Sequence, residues 1–171
     1  MMIESKEDEA VFKEILAASP RAAAIVATSY LADKLKAAVS AQLRSDKSAL
    51  KEMFKPTGYL GSLGALTDAG YLLSLYSKEL RDDLGEVAWI RNRFAHWSVP
   101  VDFAHKEIKP KCANLGLKGP IASIFSHKAF EKPEGSYDGN TFYRYRFVSF
   151  IDTVAIHLHA LATDPKHPRA F

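Results

Sequence analysis

Three features are scarce or absent in this sequence: cysteine, long apolar runs and a strong excess of charge of one sign. The single Cys112 excludes an internal disulfide framework, which favours an intracellular protein. The longest apolar runs fall far short of the ~20 residues that a membrane helix needs. The N-terminal residues MMIESKEDEA lack the basic start and apolar core of a signal peptide. These absences predict a cytoplasmic protein that makes no contact with a membrane.

The chain is 171 residues long and 47% hydrophobic, with a formal net charge of +3. This length is typical of one domain and is sufficient to bury a core without metal or disulfides. We therefore expect residues 1–171 to form a single domain. The mild basic balance neither requires nor excludes a nucleic-acid partner.

Apolar positions recur at helical spacing in the first half of the chain. The first predicted helix runs from Glu7 to Ala18, and a second begins at Pro20, with Ser19 as its N-cap, and continues to about Leu43. A short amphipathic stretch follows around Leu50 to Phe54. Beyond the turn that contains Pro56 and Gly58, Ser62 could cap a helix running to about Leu75.

The sequence IRNRFAH, residues 90–96, lies in a helix predicted from about Lys78 to Trp97. One broad apolar face includes Leu80, Leu84, Val87, Ala88, Phe94 and Ala95, and Arg91 projects from its middle. We expect Arg91 to be more than half buried and paired with Asp33, Asp68 or Asp152, or with backbone carbonyls, because an unpaired buried guanidinium is costly. Trp89, Ile90 and Trp97 lie off that face, which indicates a central helix or a dimer interface.

Prolines and glycines interrupt the segment after Pro100, so only short helices are expected there, near Ala104 to Leu115. A last helix is predicted from Asn140 or Thr141 to Ala162. The chain should therefore be all-α, a bundle of roughly five to seven helices.

Several patterns resemble binding or catalytic sites without meeting their requirements. Gly58, Gly61 and Gly64 have the spacing of neither a phosphate loop nor a dinucleotide fold. His157 and His159 diverge by ~200° on a helix, and His105 and His127 lack ligand-spaced partners. Cys112 has no histidine base near it in sequence. We expect no metal and no cofactor.

Two features of the sequence bear on nucleic-acid binding. Arg144 and Arg146 alternate with aromatic residues and could hold single-stranded nucleic acid, although a helix end packed on the protein body is favoured. The helices predicted at Ser62 to Leu75 and Lys78 to Trp97 could form a helix-turn-helix. The second is too apolar around its circumference to enter a major groove, so we expect no direct sequence-specific DNA binding.

A resemblance to a known family rests on FKPTGYLGSLGAL, LGEVAWIRNRFAHW, VDF and IKPKCANLGL, within about residues 50 to 117. These segments resemble the mannitol operon repressor family of small bacterial regulators. The resemblance implies an all-helical cytoplasmic repressor without a recognisable DNA-binding module. Such a protein would act through a protein partner, and we expect no catalytic activity. Arg91, Asn92, Arg93, Phe94, His96 and Trp97 then form a motif that could make the contact.

The same motif also resembles the Arg-Asn-three residues-His signature of HEPN domains, many of which are metal-independent ribonucleases acting as dimers. In that alternative Arg91 would stabilise phosphate charge and His96 would transfer a proton, with Asn92 beside them. Asn92 and His96 share a helix face, whereas Arg91 and His96 lie ~140° apart around the axis. A complete site would then require a homodimer or a helix that ends near His96.

Overall fold

The computed structural model describes residues 6–125 and 138–164. These residues form helices and no strand, as predicted. Seven helices have six residues or more and an eighth segment is a four-residue turn, in agreement with the predicted number. Their bounds are α1 Lys6–Ala17, α2 Pro20–Ala41, α3 Lys47–Phe54, α4 Leu63–Leu72, α5 Lys78–His96, α6 Lys109–Asn114, α7 Ala122–Phe125 and α8 Gly139–Thr163.

Helix α2 lies at the centre of the described fold and packs against α1, α4, α5 and α8. Its start is the predicted one: the Ser19 side chain accepts a hydrogen bond from the Ala22 amide, and Pro20 occupies the first turn. The residues that α2 buries are mainly small or aliphatic, including Ala24, Ala27 and Leu31. Small side chains allow neighbouring helix axes to approach closely, which explains how one helix can have four helical neighbours.

Helix α8 is the longest helix and makes the most extensive packing with α2. It begins one residue earlier than predicted, and its N-cap is Asp138, which accepts a hydrogen bond of 2.7 Å from the Thr141 amide. Asn140, a predicted cap, instead accepts a hydrogen bond from the Phe103 amide at 3.1 Å. The start of α8 is thereby joined to the segment that follows α5.

The turn between α3 and α4 folds back tightly on the end of α3. A Cβ atom on Gly58 would lie 2.3 Å from the Glu52 carbonyl oxygen, and one on Gly61 would lie 2.2 Å from the Lys55 carbonyl oxygen. The Leu60 amide also donates to the Met53 carbonyl at 2.9 Å. Glycine at these two positions is therefore required by backbone contact.

Between α5 and α8 the residues that the structure describes form only the short helices α6 and α7, as the prolines and glycines of this segment predicted. Phe103 anchors this segment to the core, with its ring centroid 4.7 Å from that of Phe94 and 5.4 Å from that of Phe147. No helix in the described ranges is both long and apolar enough to cross a membrane.

Candidate functional site

Helix α5 carries the IRNRFAH motif and begins at the predicted cap, where the Ser77 side chain accepts a hydrogen bond from the Leu80 amide. The buried residues of α5 are Leu80, Leu84, Val87, Ile90 and Phe94. Ile90 was predicted to lie off the apolar face, yet it is fully buried, because the core covers a wider sector of the helix than one stripe. Phe94 is fully buried as well and so cannot be a contact residue for a partner of the folded chain.

Arg91 and Asn92 are brought together at the edge of this buried sector. Arg91 Nη1 donates a hydrogen bond to Asn92 Oδ1 at 3.1 Å. Arg91 is partly buried, as expected, while Asn92 and His96 are exposed. In the part of the chain that the structure describes, no hydrogen bond or ion pair joins His96 to either residue. The motif thus exposes the Asn92 amide and the His96 imidazole to solvent beside the Arg91 guanidinium, and the three groups do not form a single enclosed site.

The expected acidic partner of Arg91 is not found in the described residues. Asp68 instead forms an ion pair with Arg81 at 2.7 Å, Asp33 is exposed, and Asp152 is buried in α8. The physical reason is the length of the arginine side chain: its methylene stem packs at the edge of the core while its head reaches the surface and bonds Asn92. Arg91 therefore does not carry a buried charge that needs a carboxylate.

Arg93 occupies the opposite face of α5 and is held on three sides. Its guanidinium carbon lies 4.8 Å from the Trp89 ring centroid and 5.0 Å from that of Trp97, and Nη2 forms an ion pair with Glu107 at 2.8 Å. Trp89, Arg93 and Trp97 are four residues apart, so they stack along one face of the helix. Cation–π attraction is strongest for such a cation over a tryptophan face.

This stack continues at both ends into the segment after α5. Lys111 lies 4.5 Å from the Trp89 ring centroid and pairs with Glu86, while His105 meets the Trp97 ring edge-on at 4.6 Å. We call the five residues Lys111, Trp89, Arg93, Trp97 and His105 the tryptophan–arginine ladder. All five of its members are partly buried and two come from outside α5, so the ladder fixes the later segment against the motif helix.

The end of α5 is tied to the start of α2 by an arginine that sequence patterns did not identify. Arg21 Nη2 donates to the Trp97 carbonyl at 2.6 Å and to the Val99 carbonyl at 3.1 Å. These carbonyls follow the last turn of α5, where no further helical amides are present to bond them. Arg21 thus determines the direction in which the chain leaves the motif. No local pattern signals this role, since the residues are far apart in sequence.

The arginines near the start of α8 are structural, as the favoured interpretation expected. Arg146 is buried and donates to the Cys112 carbonyl at 3.2 Å and to the Leu115 carbonyl at 2.9 Å, while Arg144 donates to the Ile15 carbonyl. Burial lowers the pKa of both guanidinium groups. Because these groups bond backbone carbonyls of other elements, they are not displayed together for a nucleic-acid strand.

Neither the cysteine nor the histidines form a chemical site in the residues described. Cys112 is buried, and desolvation raises its thiol pKa to about 12, so it stays protonated and unreactive at neutral pH. His157 is buried, whereas His159 is only partly buried. The described residues contain no group of three potential metal ligands, and His127 lies outside them.

Asp83 on α5 has an altered acidity. Burial raises its pKa to about 6, against a lowering by the hydrogen bond that Oδ2 accepts from the Gly116 amide at 2.9 Å. Gly116 has a φ of 72°, in the left-handed region that glycine adopts without strain. The bond therefore ties the chain just after α6 to the motif helix.

Comparisons with known proteins give one result at the level of structure. The chain is similar to a chain in the X-ray structure of the MtlR-HPr complex from Escherichia coli, with a TM-score of 0.64 and 17% sequence identity. The alignment covers 88% of this chain and 97% of that chain. No protein-family model and no curated protein matches the sequence. The likeness therefore establishes a shared helical fold.

The structure also bears on the helix pair considered for DNA binding. Helix α4 ends at Leu72, since Ser74 adopts a φ of 57° and Leu75 turns back to donate to the Gly70 carbonyl. Helix α5, the would-be recognition helix, has one face in the core and the ladder on an adjacent face. Its exposed residues are Lys78, Glu79, Asp82, Gly85, Asn92 and His96.

Proposed function

We propose that the chain is a cytoplasmic regulator of transcription of the mannitol operon repressor type, acting by binding another protein. The observation that carries the proposal is the fold likeness to a chain of the MtlR-HPr complex, which extends over nearly all of that chain. The segments that resemble this family lie in the region of α3 to α6. An HPr-like protein is accordingly the first partner to test.

The lack of a suitable recognition helix supports repression through protein contact. A major-groove helix must offer several polar side chains along one free face. The exposed residues of α5 are Lys78, Glu79, Asp82, Gly85, Asn92 and His96, and the two acidic ones among them would repel a phosphate backbone. We therefore expect no sequence-specific DNA binding by this chain alone.

Isothermal titration of the purified chain with the HPr encoded in the same genome tests the proposal. A saturable complex of defined stoichiometry is the expected result. The absence of heat at concentrations of about 100 μM, with normal helical circular dichroism, would contradict an HPr-like partner because regulatory contacts are usually tighter than that.

A second candidate function is a HEPN-type ribonuclease, and one observation favours it. Arg91 carries its positive charge beside Asn92 without a carboxylate partner in the described residues, and His96 is exposed one turn further along. A phosphate could accept hydrogen bonds from the guanidinium, and an exposed imidazole could exchange a proton.

Incubation of RNA with the purified chain in EDTA distinguishes the two functions. Cleavage that is lost in Arg91→Ala and in His96→Ala, but kept in Lys106→Ala, would establish the ribonuclease and exclude a purely regulatory chain. Lys106 is a suitable control, since it is exposed and lies outside the motif. For the regulator we expect RNA to remain intact with every variant.

A further inference from the structure

Helix α3 differs from the other long helices because it buries none of its residues. Its apolar residues Leu50, Met53 and Phe54 lie on one side, where Leu50 and Phe54 are partly buried and Met53 is 36% exposed. An amphipathic helix in a folded protein normally places its apolar face in a core. Helix α3 thus has an apolar face that the described fold covers only in part.

Helix α3 is nevertheless held rigidly at both ends. Asp46 Oδ1 accepts hydrogen bonds from the Ser48 and Ala49 amides, each at 3.0 Å. At the other end, the turn through Gly58 and Gly61 packs directly on the last carbonyls of α3. A surface that is ordered before binding loses less entropy when a partner arrives.

Tyr59 stands out from this rigid turn and is 90% exposed. The backbone on both sides of it is fixed by hydrogen bonds, from the Gly58 amide to the Lys55 carbonyl at 2.7 Å and from the Leu60 amide to the Met53 carbonyl at 2.9 Å. A tyrosine displayed on fixed backbone offers a large contact area at low entropic cost, which is why tyrosine is common at the centre of protein interfaces.

The groove between α2 and α3 is strongly basic. It has a volume of about 540 Å³, and its lining includes four lysines and no acidic residue. The lysines are Lys36, Lys47, Lys51 and Lys55. Lys55 pairs with Glu52, whereas Lys47 and Lys51 are exposed and form no ion pair within the described ranges. The floor of the groove is apolar, provided by Leu50, Phe54 and Pro56.

We infer that residues 46–61, here named the α3 platform, form a docking surface with the adjoining part of α2 for an acidic amphipathic segment of a partner protein. Carboxylates of the segment would face the lysine rim, and its apolar side chains would cover Leu50 and Phe54. Tyr59 would contact the partner beside the groove. This inference goes beyond the proposed function, because it stands even if an HPr-like protein does not bind.

The apolar floor favours a peptide segment over a nucleic acid. A phosphodiester backbone would engage the lysines but would leave Leu50 and Pro56 uncovered. A peptide segment with alternating acidic and aliphatic side chains offers both negative charge for the lysines and apolar contact for the floor of the groove.

Fluorescence anisotropy with a labelled synthetic peptide, in which glutamates flank a central Leu-Leu pair, provides the test. We expect saturable binding that weakens with salt, and much weaker binding of the same peptide with glutamine in place of glutamate. Lys51→Glu should lower the affinity about fivefold relative to Lys106→Glu, the matched reversal of an exposed lysine elsewhere. Tyr59→Ala should lower it about tenfold.

Three results would overturn the inference. The acidic peptide fails to bind, or the two charge reversals act equally, or Tyr59→Ala leaves the affinity unchanged. Tighter binding of a single-stranded oligonucleotide, sensitive to Lys51→Glu, would assign the groove to nucleic acid instead. Sedimentation that shows a dimer dissociated by Lys51→Glu or Tyr59→Ala would assign the surface to a second copy of this chain.

Discussion

Replacing Arg93 and Arg91 separately by alanine compares two arginines that lie two residues apart on α5 but have different surroundings. Arg93→Ala removes two cation–π contacts, worth about 0.5–1 kcal/mol each at partly exposed sites. It also removes the ion pair with Glu107, whose side chains are 39% and 38% exposed and which therefore adds about 0.2–1 kcal/mol. The sum is a loss of about 1–3 kcal/mol in the free energy of unfolding.

Arg91→Ala removes one hydrogen bond, to the exposed side chain of Asn92, and the packing of the arginine stem. Its cost should stay below about 1 kcal/mol, as for most substitutions near the surface. Both variants place alanine inside the same helix, so the change in helix propensity is nearly equal and cancels in the comparison.

Urea denaturation followed by far-ultraviolet circular dichroism measures both variants against the unsubstituted chain. We expect Arg93→Ala to unfold at lower urea with an unchanged slope, and its melting temperature to fall by about 2–4 °C for each kcal/mol lost. If Arg91→Ala proves as destabilising as Arg93→Ala, the ladder contacts of Arg93 do not stabilise the fold more than the contacts of Arg91 do. Arg91 would then have a buried partner. If Arg91→Ala is stable, a loss of RNA cleavage in this variant could not be attributed to unfolding.

Four further substitutions have results that the structure predicts. Arg146→Ala leaves the Cys112 and Leu115 carbonyls without their donor and should cost about 2–5 kcal/mol in urea denaturation; a smaller loss than Arg93→Ala would be inconsistent with its burial. Asp83 has a folded pKa of about 6, above the ordinary 3.8, so its contribution to stability declines as pH rises between about 4 and 6. Asp83→Asn keeps an acceptor for the Gly116 amide, and melting curves from pH 4 to pH 7 should show a weaker pH dependence; an identical dependence would exclude Asp83 as its source. Gly58→Ala should destabilise, because its Cβ would lie 2.3 Å from a carbonyl oxygen, whereas Gly64→Ala, with nothing within 4 Å, should be neutral or stabilising in the same assay.

Local signals in the sequence were sufficient to predict most helices. Ser19, Ser62 and Ser77 cap the helices that they were predicted to cap, because capping needs only a side-chain oxygen and a nearby amide. The end of α4 was placed three residues late. Leu75 continues the apolar spacing, but the left-handed Ser74 stops the helix before it.

Long-range contacts account for what the sequence did not show. Arg21 bonds carbonyls 76 and 78 residues away, and nothing in its own neighbourhood marks it for that role. The surroundings of Arg91 were misjudged for a related reason. Helical periodicity gives the direction in which a side chain leaves the helix axis. It does not show how far the neighbouring elements extend over that side chain. The sequence predicted the amphipathic stretch at Leu50 to Phe54. The incomplete burial of its apolar side chains depends on the placement of α2 and so appears only in three dimensions.

The tryptophan–arginine ladder also has a spectroscopic consequence. The chain has two tryptophans, and both belong to the ladder, one on each side of Arg93. Tryptophan emission from this protein therefore reports a single place, the junction of α5 with the segment that follows it. A ligand that reaches the motif helix and disturbs Arg93 would change that emission, whereas one that occupies the lysine groove would leave it nearly constant.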